Sequence, residues 1–359
     1  MADAMIEGLR SGKLAGVRAA IQADPKGARN ARAIVEAGRL AFQKAIELLH
    51  RNGADLNAAS RGYRPLHALL QEDPHATVGK PSAQRLACLD WMLKHGADPE
   101  QLGAWPSARA IIIAAFVGQP DYVKRLRKAG TKMDGFVAAA LGDRKLVEKT
   151  LRQRPEFAEE RDTGGLTALQ CAAGSRYPGA RLLDIAHLLL DAGADVQAKT
   201  LSWNHEIDAL YFAASAKNKS VFELLLRRGG DATEGLVHSL WGAGEDFAEL
   251  AVAHGGDPDC AVTDGKPLLN HLICWGRVSP ALWLLERGAS PNVADENGWT
   301  AVHQAASRGN ERMMRAVLDA GGDLTRRDKQ GLTPFDIAKS AGRSKLMPLL
   351  SRSTHRSLQ

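Results

Sequence analysis

Apolar residues recur along this chain at helical spacing, in short runs that glycines cut at regular intervals. Met314, Val317 and Leu318 form one such stripe, and Leu282, Leu284 and Leu285 another. Each stripe follows a shorter run rich in alanine, and a glycine separates the two. Gly309 lies twelve residues before Gly321, Gly276 twelve before Gly288, and Gly118 twelve before Gly130. The pattern predicts pairs of short helices, many closed by Gly-Ala-Asp or Gly-Gly-Asp. The stretch GWTAVHQAASRGN, residues 298–310, restarts thirty-three residues later as GLTPFDIA. A fixed period of this length marks a stacked repeat array. In such an array each repeat packs only on its neighbours.

Laid along the chain, this spacing predicts an all-α solenoid of about eleven helix-turn-helix repeats with short hairpin loops, in a single array over residues 1–350. The repeats are 1–24, 25–55, 56–98, 99–130, 131–156, 157–195, 196–231, 232–257, 258–290, 291–323 and 324–350, with a polar tail at 351–359. Repeat three carries an inserted loop near residues 73–81, and repeat six another near 175–180. Repeat seven has a longer hairpin around residues 201–206. Repeats five and eight have almost no hairpin. Their helices are expected at 134–141 with 144–153, and at 235–241 with 246–254. These shortened repeats read as weak joints that exchange amide hydrogens faster than repeats nine and ten.

Composition narrows the function. No run of about eighteen apolar residues exists, which speaks against a membrane-spanning helix. The N-terminus MADAMIEGLRSGKLAG carries early acids and no apolar core, unlike a secretory signal. Four cysteines without close pairing fit a reduced, cytoplasmic setting, with export by a signal-free route left open. Charge is uneven. Residues 1–180 hold 27 Lys+Arg against 19 Asp+Glu, and residues 181–359 hold 20 against 22. Lys124, Arg125, Arg127 and Lys128, then Arg144, Lys145, Lys149, Arg152 and Arg154, fall on second helices. The bland reading is a solvated helix face; the sharper one is contact with a polyanion.

Catalytic chemistry finds little support. No GxSxG, HExxH or GxxxxGK[ST] is present. His254, Cys260, His271 and Cys274 lack the spacing of a zinc framework. No catalytic, metal or cofactor residue is expected, and the chain reads as a non-enzyme.

The repeats resemble ankyrin repeats. The match rests on G-x-T-P-L-H-x-A-A-x-x-G, best approached at residues 298–309 and 331–338, and on the Gly-Ala-Asp or Gly-Gly-Asp turns at Gly53, Gly96, Gly193, Gly229, Gly255 and Gly321. Thr167, Thr300 and Thr333 stand where a hydroxyl caps a helix, and Pro65 and Pro334 suit a first turn. Only His67 and His303 fill the family's histidine position; Gln170, Tyr211, Asn270 and Asp336 replace it elsewhere. The usage of Ala, Arg and Gly hints at a bacterial source.

The resemblance implies a monomeric, non-catalytic scaffold that binds a protein partner, unidentified by the sequence, in a groove of first helices and hairpin tips. The implied contact residues are Phe116, Val117, Trp241, Trp275 and Arg308 at helix ends. Hairpin tips add Trp105, Trp203, Asn204, Glu296, Asn297, Trp299 and Lys329. Trp91 and Trp283 sit in second-helix stripes and read as core. A polyanion or nucleic acid on the basic N-terminal half is the alternative, and a targeting or regulatory subunit of a separate enzyme is another. Nucleic acid is the weaker of the partner classes, and no membrane partner is implied.

Overall fold

A computed structural model describes residues 2–71, 80–103, 106–202, 205–262 and 264–351. The chain forms two compact bodies, Met1–Gly230 and Asp231–Gln359. Both are built from pairs of short helices with almost no sheet. Among the described residues, Leu102–Gly103 pairs with Ala108–Arg109 and Thr200–Ser202 with His205–Ile207, both antiparallel, and three isolated bridges join Ser60 to Tyr63, Arg161 to Thr167 and Ala261 to Pro267. No helix there is long and apolar enough to cross a membrane.

First and second helices differ for a physical reason. A first helix lies between neighbours and is buried nearly all round, so small side chains suit it. Ala110–Phe116 buries residues 110–115, and Ala168–Ala173 buries all six of its residues. A second helix meets solvent on one side. Gln43–Arg51 buries only Ala45, Ile46 and Leu49, and Glu311–Asp319 only Met313, Met314 and Val317. Trp283 is core, as expected, while Trp91 is half-buried and stacked on His95.

The third position of the first helix joins one repeat to the next. In repeat six the Thr167 hydroxyl accepts from the Gln170 amide, and Gln170 Oε1 accepts from the Thr167 amide. This reciprocal cap satisfies two helix-end donors. Gln170 Nε2 also donates to Ala198 O, and the Thr200 hydroxyl donates to Gln170 Oε1 at 2.6 Å. His303 and Asp336 close the same cap on Thr300 and Thr333. Asn270 donates to Trp299 O at 2.8 Å, and His67 Nε2 lies 3.1 Å from Ala108 O. The requirement is a short polar side chain that bonds forward, which His, Gln and Asn each meet.

Hairpin turns are held by aspartates. One oxygen each of Asp162, Asp295 and Asp328 accepts two amides of its own turn. Repeat five lacks this device and compensates. Asp134 caps the amides of Phe136 and Val137 and accepts, on its two oxygens, from Nη2 of the buried Arg109 guanidinium at 2.8 and 2.9 Å. Phe157, fully buried, packs against Phe136 with centroids 5.0 Å apart.

The insertion in repeat six folds back across the N-terminal body. The Arg176 amide donates to Ala115 O at the end of repeat four's first helix. Its guanidinium donates to Ser215 O at the end of repeat seven's. Ala180 lies against Gly142, where an added Cβ would sit 2.6 Å from the Ala180 backbone. The first-helix ends of repeats four and five are thus roofed by their own chain.

Candidate partner-binding surface

The C-terminal body leaves its first-helix ends open, and repeat eight presents them unusually. Asp231 caps the amides of Thr233 and Glu234, so the helix starts at Ala232, three residues earlier than expected. It then widens into a π turn, Ser239–Ala243, closed by the Gly244 amide on Ser239 O. Such turns relax the helical ladder and recur at functional sites. Gly244 leaves the turn at φ 117, ψ 172, a conformation essentially reserved for glycine. Trp241 sits within this turn.

Trp241 meets the end of repeat nine's first helix, Leu268–Cys274. Its ring stands edge-on to Trp275, centroids 6.4 Å apart, and edge-on to His271 at 5.2 Å. His271 and Trp275, four residues apart, stack at 6.2 Å. Arg277 completes the group. It donates to Trp241 O at 2.7 Å, and its guanidinium carbon lies 5.6 Å from the Trp241 ring centre. Trp275 is 66% exposed, more than any other large hydrophobic side chain among the described residues. An exposed indole braced by a second indole is the form that binding anchors take.

Polar groups fix the edge of this cluster. Asp264 takes a 2.7 Å bond from the Lys266 ammonium and lies 3.5 Å from His271 Nδ1. Burial works against ionisation of Asp264, but the bonds from Lys266 and the charges of Lys266 and His271 together hold the carboxyl below its usual range. Arg308, from repeat ten, reaches Cys274 Sγ at 3.9 Å. Cys274 is half-buried; Cys88, Cys171 and Cys260 are buried, and burial pushes the Cys88 and Cys260 thiols up to about 12. Those two thiols are inert at neutral pH. Among the described residues no group of three metal-ligating side chains converges.

The residues expected at the surface separate into five groups. Trp241, Trp275 and Arg308 come together. Phe116 and Val117 do not join them: both are half-buried at the roofed end of repeat four, where Phe116 packs on Phe212 with centroids 5.7 Å apart. They are packing residues rather than groove residues, because the inserted loop covers that end. Glu296, Asn297 and Lys329 lie exposed on hairpins, and the Lys329 amide donates to Asn297 O, tying two tips together. Trp299 is half-buried, with its indole N–H committed to Asp328, so it serves the stack. Trp105, Trp203 and Asn204 lie outside the described residues. His271 and Arg277 were not singled out for this surface. The i, i+4 spacing of His271 and Trp275 carried the first, and the second follows Gly276 directly.

Comparison with known proteins agrees with the repeat fold. The family model "Ankyrin repeats (many copies)" matches residues 284–338, and "Ankyrin repeat" matches residues 164–201. An ankyrin repeat-containing protein of Schizosaccharomyces pombe is 39% identical over 64 residues, 18% of this chain and 31% of that protein. Rabankyrin-5 of Mus musculus is 31% identical over 130 residues, 36% of this chain and 10% of its own length. The mitochondrial disaggregase of Homo sapiens is 30% identical over 178 residues, 44% of this chain and 23% of its own length. The similarity thus spans less than a third of each of these relatives. With helix pairs, threonine caps and glycine turns repeating through both bodies, the chain is an ankyrin repeat protein.

Proposed function

We propose that this protein is a non-catalytic interaction scaffold that holds a protein partner on the first-helix ends of repeats eight to ten. The observation that carries this reading is Trp275, exposed and edge-on to Trp241. A large aromatic surface held rigid loses little side-chain entropy on binding. The open face lies in the C-terminal body, since the inserted loop occupies the equivalent ends in repeats four and five. The test is capture of partners by immobilised full-length protein, identified by mass spectrometry, beside a Trp275→Ala variant whose circular dichroism matches the parent. A partner kept by the parent and lost by the variant supports the reading. Undiminished capture by Trp275→Ala sinks it.

A second reading has its own observation. On the second helices of repeats four and five, Lys124, Lys128, Lys145 and Lys149 are exposed, with no ion pair among the described residues. Arg125, Arg144 and Arg152 nearby are matched by Asp90, Asp121, Glu148 and Asp184. These lysines offer a surface to a polyanion such as nucleic acid. Binding to DNA or RNA that weakens steeply with salt supports this reading, and salt-insensitive or absent binding removes it.

A further inference from the structure

The arginines beside Trp275 specify the chemistry of the partner, an inference that rests on the reading of that face as a binding surface. Two exposed arginines follow Trp275 along the first-helix ends. Arg308 ends its helix and touches Cys274 Sγ. Arg343, one repeat on, donates through Nε to Ser307 O at 2.9 Å. Neither forms an ion pair among the described residues. A guanidinium carries five N–H donors. Each of these two spends one within the protein, so most of the fork faces outward, held in place by the bond it does make.

Arg277 differs, since it is committed to Leu240 O and Trp241 O and lines a hollow with Glu245 and Asp246. The carboxylates nearby are already used. Asp264 serves Lys266, while Asp295 and Asp328 close their own turns. Glu311 holds Arg315. The edge after Trp275 therefore carries cationic donors that the protein itself leaves uncompensated.

We infer that the partner presents an acidic peptide segment bearing an aromatic or aliphatic side chain, the side chain seated on Trp275 and Trp241 and the carboxylates on Arg308 and Arg343. Planar guanidinium forks match carboxylates with two parallel bonds, which gives such a site direction as well as charge.

The experiment selects peptides from a random phage-displayed library on immobilised full-length protein and measures the winners against Trp275→Ala and Arg308→Glu. Arg308 is exposed and makes one weak contact, so its variant keeps the fold, checked by thermal unfolding. The expected winners are rich in Asp and Glu around one large apolar residue. They weaken about tenfold on Arg308→Glu, and also weaken as salt rises. Neutral or basic winners that still depend on Trp275 overturn the acidic partner but leave the binding face standing. Winners indifferent to Trp275→Ala, or no enrichment at all, overturn both.

Discussion

The indole N–H of Trp299 donates to Oδ2 of Asp328 across 3.1 Å, while Oδ1 of the same carboxylate accepts the amides of Gln330 and Leu332. One buried aspartate thus closes its own hairpin and pins the tryptophan of the preceding one. Trp299→Phe keeps most of the packing and loses the bond, so it is expected to lower stability by about 1 kcal/mol. Asp328→Ala strands three donors and is expected to cost about 2–3 kcal/mol. Urea denaturation of the full chain measures both. Partner capture by Trp299→Phe should match the parent; a loss there would return Trp299 to the binding surface.

His67 gives a pH signature. It is fully buried, and burial pushes its pKa down to about 4 from an ordinary 6.5, against the opposing bond to Ala108 O. The unfolded chain therefore binds a proton that the folded one refuses. The stability is present above pH 6.5 and drains away as pH falls toward 4, by about 3 kcal/mol in all. Gln170 fills the same position without titrating, so His67→Gln should flatten this part of the curve. His303, also lowered by burial, keeps some sensitivity in the variant. Asp162 and Asp208, raised by burial, act with the opposite sign. The informative quantity is the difference between the two stability curves from pH 7 to 4.5. The Glu36 carboxyl, held at about 2 chiefly by its bond to Arg39, begins to take up protons in the unfolded chain as pH falls toward 4.5, but it does so equally in parent and variant and cancels in the difference. Parallel curves would show that His67 takes up its proton as readily in the fold as in the unfolded chain.

The roof over repeats four and five is tested at two glycines. Gly130 and Gly142 both sit at positive φ, 89° and 76°, but a Cβ at Gly130 meets nothing while one at Gly142 meets Ala180. Gly130→Ala should cost about 1 kcal/mol for backbone strain alone. Gly142→Ala should cost clearly more and raise amide exchange across residues 175–181. Equal costs would mean that the loop does not rest on Gly142.

Much of this architecture is written in the sequence because its causes are local. Helical spacing and glycine position place helices at 134–141 and 144–153, and the structure forms them at Gly135–Leu141 and Arg144–Gln153. Thr167, Thr300 and Thr333 cap as their residue type demands. What escaped the sequence is settled by distant partners. The inserted loop of repeat six has ordinary loop composition, and the distant carbonyls of Ala115 and Ser215 dictate its path. Trp299 looked like a surface aromatic because its acceptor lies 29 residues on. The π turn at Trp241 has no periodic signature. It arises where Asp231 starts a helix early and Gly244 must end it.

Repeats five and eight both lost their hairpins, yet the structure separates their fates. In repeat five, Arg109 and Asp134 replace the missing turn, Phe157 fills the space beside Gly135, and residues 135–140 are buried. Repeat eight takes a different course. Its first helix buries Gly235 and Leu236 and then opens into the π turn, whose closing bond depends on Gly244. Local opening follows sparse burial and a weakened hydrogen-bond ladder. Amides of Ser239–Gly244 are therefore expected to exchange faster than those of Leu268–Cys274 and Ala301–Arg308, while Gly135–Leu141 exchanges as slowly as its neighbours. Hydrogen exchange read by mass spectrometry decides this peptide by peptide. Gly244→Ala should speed exchange through repeat eight further, because alanine is strained at φ 117, ψ 172. Protection of residues 239–244 equal to that of repeat nine would show that the π turn is no weaker than the helices beside it.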